Sequence, residues 1–452
     1  MANLQASRRT VLGATAAAMA FPVFATTPPT TLLRGADTVL TMAGVPLTDT
    51  EILVREGQIV AMGRALDALG ATVIDLSGHI VLPGLVDTHW HMWNTAARGL
   101  WRSAKGGFAP TMAAISPLFS PSDAAIGVEL ALAEAVNGGI TTVHNWAHNS
   151  RSPAHVEAEI AAMLSSGVRG RFAYGYAQDA PPDRPMDLGH LATLARRPPS
   201  ALVSLGICAR GPDRSETDVW RAEWAAARRL GLPISTHMAS DAMAAAKGGI
   251  ASLAAADGLG PDVQLVHLTA ATQREMEVVA RRGSPVSISP WTELEVGYGV
   301  PPIADMVAAG LTLGLSVDNM VLAGSADIFS VMRLTTDLAR GIARDASVVT
   351  DEMVLRWATV DGARGLGLKA IGTLAPGQRA DIIAVRTDAI NMTPAADPFS
   401  LLTHAARPEN VALVMIDGVL HKAGGHLLRV NIAQLQERAE QSIKTLRARA
   451  SL

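Results

Sequence analysis

Two histidines one residue apart, His89 and His91, close the run Val86-Asp87-Thr88-His89-Trp90-His91. On a β-strand alternate side chains share a face, so both imidazoles point the same way. Three more polar residues end apolar runs in this manner. They are His237 in Pro233-Ile234-Ser235-Thr236-His237, His267 in Val263-Gln264-Leu265-Val266-His267, and Asp318 in Leu313-Gly314-Leu315-Ser316-Val317-Asp318. Three imidazoles and a carboxylate, from His89, His91, His237 and Asp318, suit a divalent ion, zinc ahead of iron. Such an ion lowers the pKa of a bound water toward about 7 and so supplies hydroxide at neutral pH. Asp318 can both ligate and take the proton of the attacking water, and His267 can polarise the group under attack or stand as a further ligand. Cys208 is the only cysteine, which excludes an intrachain disulfide, a CxxC zinc site and a Cys-ligated cluster.

These residues need a scaffold that brings distant strand ends together. Short apolar runs centre near Asp87, Val143, Ala173, Leu205, Ser235, Leu265, Ser287 and Leu315, with helical patterns between them. Most intervals are about 30 residues, the size of a β-strand plus its crossover helix. Eight such units predict an α/β fold, a (β/α)8 barrel whose chemistry sits at the C-terminal strand ends. An open doubly wound sheet fits the periodicity as well. Ser122 is placed to cap a helix running to Gly138-Gly139, and Ser215 one running through Trp220 and Trp224 to Gly231. Both chain ends read as β-rich: Thr38–Met42, Glu51–Val54, Gln58–Ala61 and Thr72–Leu76 before the barrel, Ala380–Val385 and Val411–Ile416 after it. Asp417-Gly418 signals a hairpin turn there.

The first barrel interval is nearly twice the usual length. Its extra residues, roughly 92–120, carry Trp93, Trp101, Phe108 and Phe119. They predict either a lid over the active end or a surface excursion with its own small core. Trp90, Trp93, Trp101, Trp146 and Trp291 fall on the active-end connections. Aromatic walls with a few polar groups suit a flat, apolar or heteroaromatic guest. Trp93, Trp146 and Trp291 are accordingly expected to line the substrate pocket, with His144 and His148 as extra polar contacts ranked below the four ligand candidates. Arg210 follows the fourth strand and can meet an anionic substrate or a neighbouring carboxylate.

The chain has 452 residues, 49% hydrophobic and 17% charged, which excludes a disordered chain. A balance of 38 basic against 41 acidic residues leaves −3 and no basic footprint for nucleic acid. Ser7-Arg8-Arg9-Thr10-Val11-Leu12, the Ala-rich run after it and Val23-Phe24-Ala25 resemble a bacterial twin-arginine signal. Residues 1–25 are therefore expected to engage the twin-arginine export machinery and direct the enzyme to the periplasm. No later segment has the apolar length of a spanning helix.

The run Leu82-Pro83-Gly84-Leu85-Val86-Asp87-Thr88-His89-Trp90-His91 is similar to the signature of the amidohydrolase superfamily. Ile371-Gly372-Thr373-Leu374-Ala375-Pro376-Gly377-Gln378-Arg379-Ala380-Asp381 is similar to the strand that returns to that family's small β-sandwich. Within the superfamily the chain resembles the cytosine deaminase and chlorohydrolase branch, including triazine hydrolases. The resemblance implies one metal held by His89, His91, His237 and Asp318, with His267 contacting the substrate. It also implies a sandwich built from residues 26–82 and 369–430 around a barrel at 83–368, followed by a helix at 431–452. That polar helix, with Leu435 and Ile443, offers a face for a homodimer.

Two-metal members usually bridge their ions with a fourth-strand lysine. Here that strand reads Leu202-Val203-Ser204-Leu205-Gly206-Ile207-Cys208-Ala209, which favours a mononuclear site. Deaminases of the branch place a glutamate three residues after the fifth-strand histidine, where this chain has Ser240; Asp241, Glu293 or Glu295 are candidate replacements. They often carry a seventh-strand histidine too, absent from Val286-Ser287-Ile288-Ser289-Pro290. The reading is a metal-dependent hydrolase of a non-peptide C–N bond in a small cyclic or heteroaromatic substrate. The alternatives are removal of a halide or amine from such a ring, or a non-catalytic metal-containing binding protein.

Overall fold

The computed structural model describes residues 30–452, so the predicted signal at 1–25 lies outside the described residues. Eight parallel strands form one sheet in chain order: Leu85–Trp90, Ile140–Ala147, Arg169–Tyr174, Val203–Ala209, Ile234–Met238, Val263–His267, Val286–Ile288 and Leu313–Leu315. Each contains or borders its predicted centre. The first and last strands meet through a bridge between Trp90 and Asp318. His91 N–H donates to the Asp318 carbonyl at 2.7 Å, and Asp318 N–H to the His89 carbonyl at 3.0 Å. These bonds close the sheet, so the architecture is a barrel rather than the open alternative. The strands are buried on both faces because crossover helices cover the outside.

The chain ends form two further sheets. One holds four N-terminal strands, including Thr31–Arg34, Glu51–Arg55, Gln58–Gly63 and Thr72–Asp75. The other is drawn from both ends: Ile382–Arg386 pairs antiparallel with His79–Pro83 on one side and with Val411–Ile416 on the other. Apolar residues from the two sheets, among them Val54, Ile59, Ile382 and Met415, share one buried cluster. Asp417 and Gly418 both take positive φ, 53° and 77°, in the expected hairpin turn. Thr31–Arg34 and His79–Pro83 are strands that the residue pattern left unmarked, and Thr38–Met42 shortens to Thr38–Val39.

The helix after the lid region runs Pro121–Asn137, and Ser120, not Ser122, caps it. Ser120 forms a capping box with Asp123, and Pro121 at the first helical position carries no N–H to leave unpaired. The later helix is Thr217–Arg229 with Glu216 at its N-cap, while the Ser215 hydroxyl donates to the Gly211 carbonyl. The helix Pro121–Asn137 approaches the segment Met92–Ala97 at Gly127, where a Cβ would stand 2.3 Å from the Trp93 carbonyl oxygen. Residues 92–120 follow the second of the two predicted outcomes. Trp93, Met112, Ile115 and Phe119 bury together in a small core of their own, joined by Leu446 of the C-terminal helix Ile432–Ala450. That helix spends its buried face on its own chain, with Arg438 paired to Glu129 at 2.6 Å and the Ser442 hydroxyl donating to Asp123. No helix of the described residues is long and apolar enough to cross a membrane.

Candidate metal centre and active site

The first strand places His89 and His91 on the inward face at its C-terminal end, and the fifth and eighth bring His237 and Asp318 to them. Nε2 of His89 lies 3.2 Å from Nε2 of His237 and 3.2 Å from Oδ1 of Asp318. Nε2 of His91 also lies 3.2 Å from that oxygen. Ligand atoms of the three histidines all fall within 4.8 Å of one another. Ligands about 2.0 Å from a tetrahedral ion stand about 3.3 Å apart, so these separations fit one. All four residues are buried, and the Nδ1 atoms of His89 and His237 have no partner.

The electrostatics agree with this donor set. Burial holds the His89 imidazole down to about 3, so it stays neutral and free to ligate. Burial and then the Arg214 charge push His237 well below its ordinary value. For Asp318, burial acts to raise the carboxyl, but the His89 and His91 rings overcome it and hold the group well below the usual carboxylate range. Asp87, two residues before His89, pins the assembly. Its carboxylate accepts the His89 N–H at 3.1 Å and the Val317 N–H at 2.9 Å, tying the first strand to the run that carries Asp318. Backbone strain concentrates here as well. His267, Leu268 and Asp318 take φ of 79°, 58° and 59°, and Ala239 takes 43°. A non-glycine residue adopts such angles only where its surroundings hold it there.

His267 joins the cluster face to face with His237, ring centroids 5.1 Å apart and planes within 12°. Its Nδ1 is 3.1 Å from Oε1 of Glu293, which also accepts the Ser289 N–H at 2.9 Å. Glu293 is fully buried, whereas Glu295 is exposed. Asp241 uses its carboxylate to cap a short helix, accepting the Ala244 N–H. Of the three candidate acids, Glu293 is thus the one that touches a site residue. Ser240 is buried, and its hydroxyl accepts from Arg214 at 3.0 Å. Where the branch often has a seventh-strand histidine, a hydroxyl ladder runs instead: Thr88 and Ser287 at 2.7 Å, Ser287 and Ser316 at 3.2 Å, Ser289 and Ser316 at 2.6 Å.

The expected substrate contacts separate into two groups. Trp146 packs on the cluster, its ring centroid 4.1 Å from His237 and 5.1 Å from His91, and its Nε1–H donates to Ser235 at 2.9 Å. It is fully buried, so it is packed against His237 and His91 rather than presented as an open wall. Trp93 donates its Nε1–H to Nδ1 of His148 at 3.2 Å, and His148 lies beside His91, centroids 4.1 Å apart. Trp291 is half-buried, with Nε1 unpartnered. His144 and Arg210 turn elsewhere. His144 bonds the Thr88 carbonyl at 3.1 Å inside the barrel; it sits two positions before Trp146 on an inward face, while His148 sits two positions after it. The Arg210 guanidinium donates to the carbonyls of Ala180, Pro181 and Arg184 and covers the Tyr176 ring. Arg214, four residues on, is the arginine that reaches the site, and Tyr298 lies against His267 with centroids 5.2 Å apart. The sequence singles out Arg210 alone; Arg214 sits in the same strand-end loop, and the loop's path decides which one enters the site.

The chain matches the Amidohydrolase family model over residues 80–420. A 5-methylthioadenosine/S-adenosylhomocysteine deaminase of Nitratidesulfovibrio vulgaris (strain DP4) is 29% identical over 407 residues, covering 86% of this chain and 90% of the relative. An adenosine deaminase from Xanthomonas campestris with bound zinc superposes with a TM-score of 0.83 at 24% identity, over 93% of this chain and 99% of that one. An atrazine chlorohydrolase from Arthrobacter aurescens TC1 complexed with zinc gives 0.82 at 21% identity, over 91% and 100%. A family match spanning most of the chain, a closed barrel and a sandwich from both termini agree, and the chain belongs to the amidohydrolase family.

Proposed function

We propose that this chain is a metal-dependent hydrolase that cleaves a non-peptide carbon–nitrogen bond of a small cyclic or heteroaromatic substrate. The observation that carries the reading is the convergence of His89, His91, His237 and Asp318, with 3.2 Å between neighbouring ligand atoms, beside an imidazole held by a carboxylate. A divalent ion bound there supplies Lewis acidity and acidifies a water. Zinc is the preferred ion, since two solved relatives of this fold carry it. One ion is preferred over two, because the fourth strand, Val203–Ala209, carries no lysine to bridge a pair.

The chain's own groups divide the work. Asp318, ionised and turned to the cluster, accepts the proton of the attacking water. His267 donates Nδ1–H to Glu293, which leaves Nε2 as the ring nitrogen available to the substrate. Trp146 keeps water from the inner side of the ligands. Relatives named as deaminases of methylthioadenosine and of 8-oxoguanine support a nitrogen heterocycle as the substrate class. Ser240 supplies no acid for an amine leaving group, which favours a second reading in which a better leaving group, such as halide, departs from the ring.

The Arg8-Arg9 pair and the apolar run after it support export to the periplasm by the twin-arginine route. Replacing both arginines by lysine should leave the enzyme in the cytoplasm. The catalytic reading is tested by turnover of aminoazines, chloroazines and cyclic amides before and after chelation. Turnover lost on chelation and restored by zinc is expected; no turnover of any panel member, or turnover indifferent to chelation, contradicts it.

A further inference from the structure

We infer that the substrate carries an oxyanion, a carboxylate or phosphate on its ring, and that Arg214 with Tyr298 receives it beside the metal centre. The inference rests on reading this cluster as the substrate site.

Arg214 follows the fourth strand and reaches across to the turn after the fifth. There one Nη donates to the Ser240 hydroxyl at 3.0 Å, three residues beyond His237. The phenol of Tyr298 stands beside the guanidinium, and the Tyr298 ring also packs on His267. Arg214 therefore belongs to the rim that joins His237, His267 and Ser240. Guanidinium is always charged, and its five donors need acceptors. Arg169 and Arg210, both buried, have them, whereas buried Arg171 has only the Leu366 carbonyl. Arg169 forks onto Asp381 and reaches Asp417, and Arg210 takes three backbone carbonyls.

Arg214 has one neutral hydroxyl, a phenol nearby and, among the described residues, no carboxylate in an ion pair with it. The adjacent Asp213 carboxylate acts on the guanidinium through its charge but gives its hydrogen bond to the Ala239 N–H, at 2.8 Å. Arg214 is half-buried, and none of its nitrogens is among the buried unpartnered atoms of the described residues, so part of the guanidinium stays open to a ligand. A guanidinium fork matches carboxylate or phosphate oxygens in geometry. The charge already reaches the metal cluster, since it is one of the groups acting on His237. An oxyanion docked on Arg214 would fix one edge of a flat ring while the opposite edge meets the reacting centre.

The test is equilibrium binding of nicotinate, nicotinamide and phenyl phosphate to the full chain as isolated, followed by calorimetry. The expected result is that at least one of the two anions binds about tenfold or more tightly than nicotinamide. Which anion does so identifies the oxyanion. The preference should vanish in Arg214→Gln and persist in part in Arg214→Lys. Equal binding of the neutral and anionic probes in the unaltered protein overturns the proposal, as does a preference that survives in Arg214→Gln. The contrast within the unaltered protein stands even if a variant fails to fold. Neutral rings that are turned over without any anion preference would refute the Arg214 role alone. Anion binding without turnover of any ring would refute the hydrolase reading alone.

Discussion

Nδ1 of His267 lies 3.1 Å from Oε1 of Glu293, a carboxylate that also holds the Ser289 N–H. This fully buried pair fixes which ring nitrogen carries the proton. An outer carboxylate on a catalytic imidazole commonly contributes about 10- to 100-fold. Glu293→Gln should therefore lower kcat by about that factor with little change in KM, and move the pH profile of kcat. Steady-state kinetics across pH checks this; an unaltered profile would leave Glu293 a packing residue.

Asp318 is held in place by main-chain bonds to both His89 and His91, so its side chain can be altered without opening the barrel. Asp318→Asn should keep its thermal midpoint within a few degrees and lose about 10²- to 10⁴-fold in kcat, the usual range for a general base. Substantial retained rate would assign the proton to another group.

Ser240 is bonded to Arg214, so a carboxylate placed there would meet the guanidinium. Ser240→Glu should pair with Arg214 and weaken nicotinate binding by about tenfold, a cost of about 1.4 kcal/mol. The same change should raise turnover of neutral amino-substituted rings relative to chlorinated ones. Calorimetry and a two-substrate rate ratio read the two effects separately.

Arg169 on the third strand joins barrel to sandwich, with 2.6 Å and 3.0 Å bonds to Asp381 and 2.7 Å to Asp417. Asp381 is buried, so removing the cation strands its charge. Arg169→Met should cost about 3–5 kcal/mol, read as a fall in the urea midpoint.

His144 and His421 are buried and neutral in the fold. Burial first, then Arg171, pushes His144 well below its ordinary value; burial, then Arg429, pushes His421 down to about 4. Both take up protons on unfolding below about pH 6.5, so the unfolded state binds more protons and stability falls as pH drops. The loss runs from about pH 6.5 to about 4 for His421, and His144 adds a loss of the same sign below about pH 6.5, at up to about 1.4 kcal/mol per pH unit per group. Urea midpoints at pH 7 and pH 5 check it, and His421→Gln should flatten the slope.

The barrel and the convergence of His89, His91, His237 and Asp318 were legible because both are written in local pattern. Apolar runs mark the strands, and polar residues at or just past the ends of the first, fifth, sixth and eighth mark the active face. The alternation of His89 and His91 needs only strand geometry. The pocket was less legible because strand-end loops are steered by tertiary packing: Arg210 and Arg214 look alike in sequence, yet backbone carbonyls capture the first. His144 and Trp146 alternate on one strand and His148 follows just beyond its end, all three buried, so their partners and not their residue types separate them. Residues 92–120 became a small core because the C-terminal helix supplies Leu446 from more than 300 residues away, a contact no local pattern encodes.

The metal content of the full chain, isolated without chelators, tests the central claim most directly. Elemental analysis should find about one zinc per chain in the unaltered protein and a loss of that ion in His237→Ala. Protein that comes back without metal, or a variant that keeps its full complement, contradicts the account.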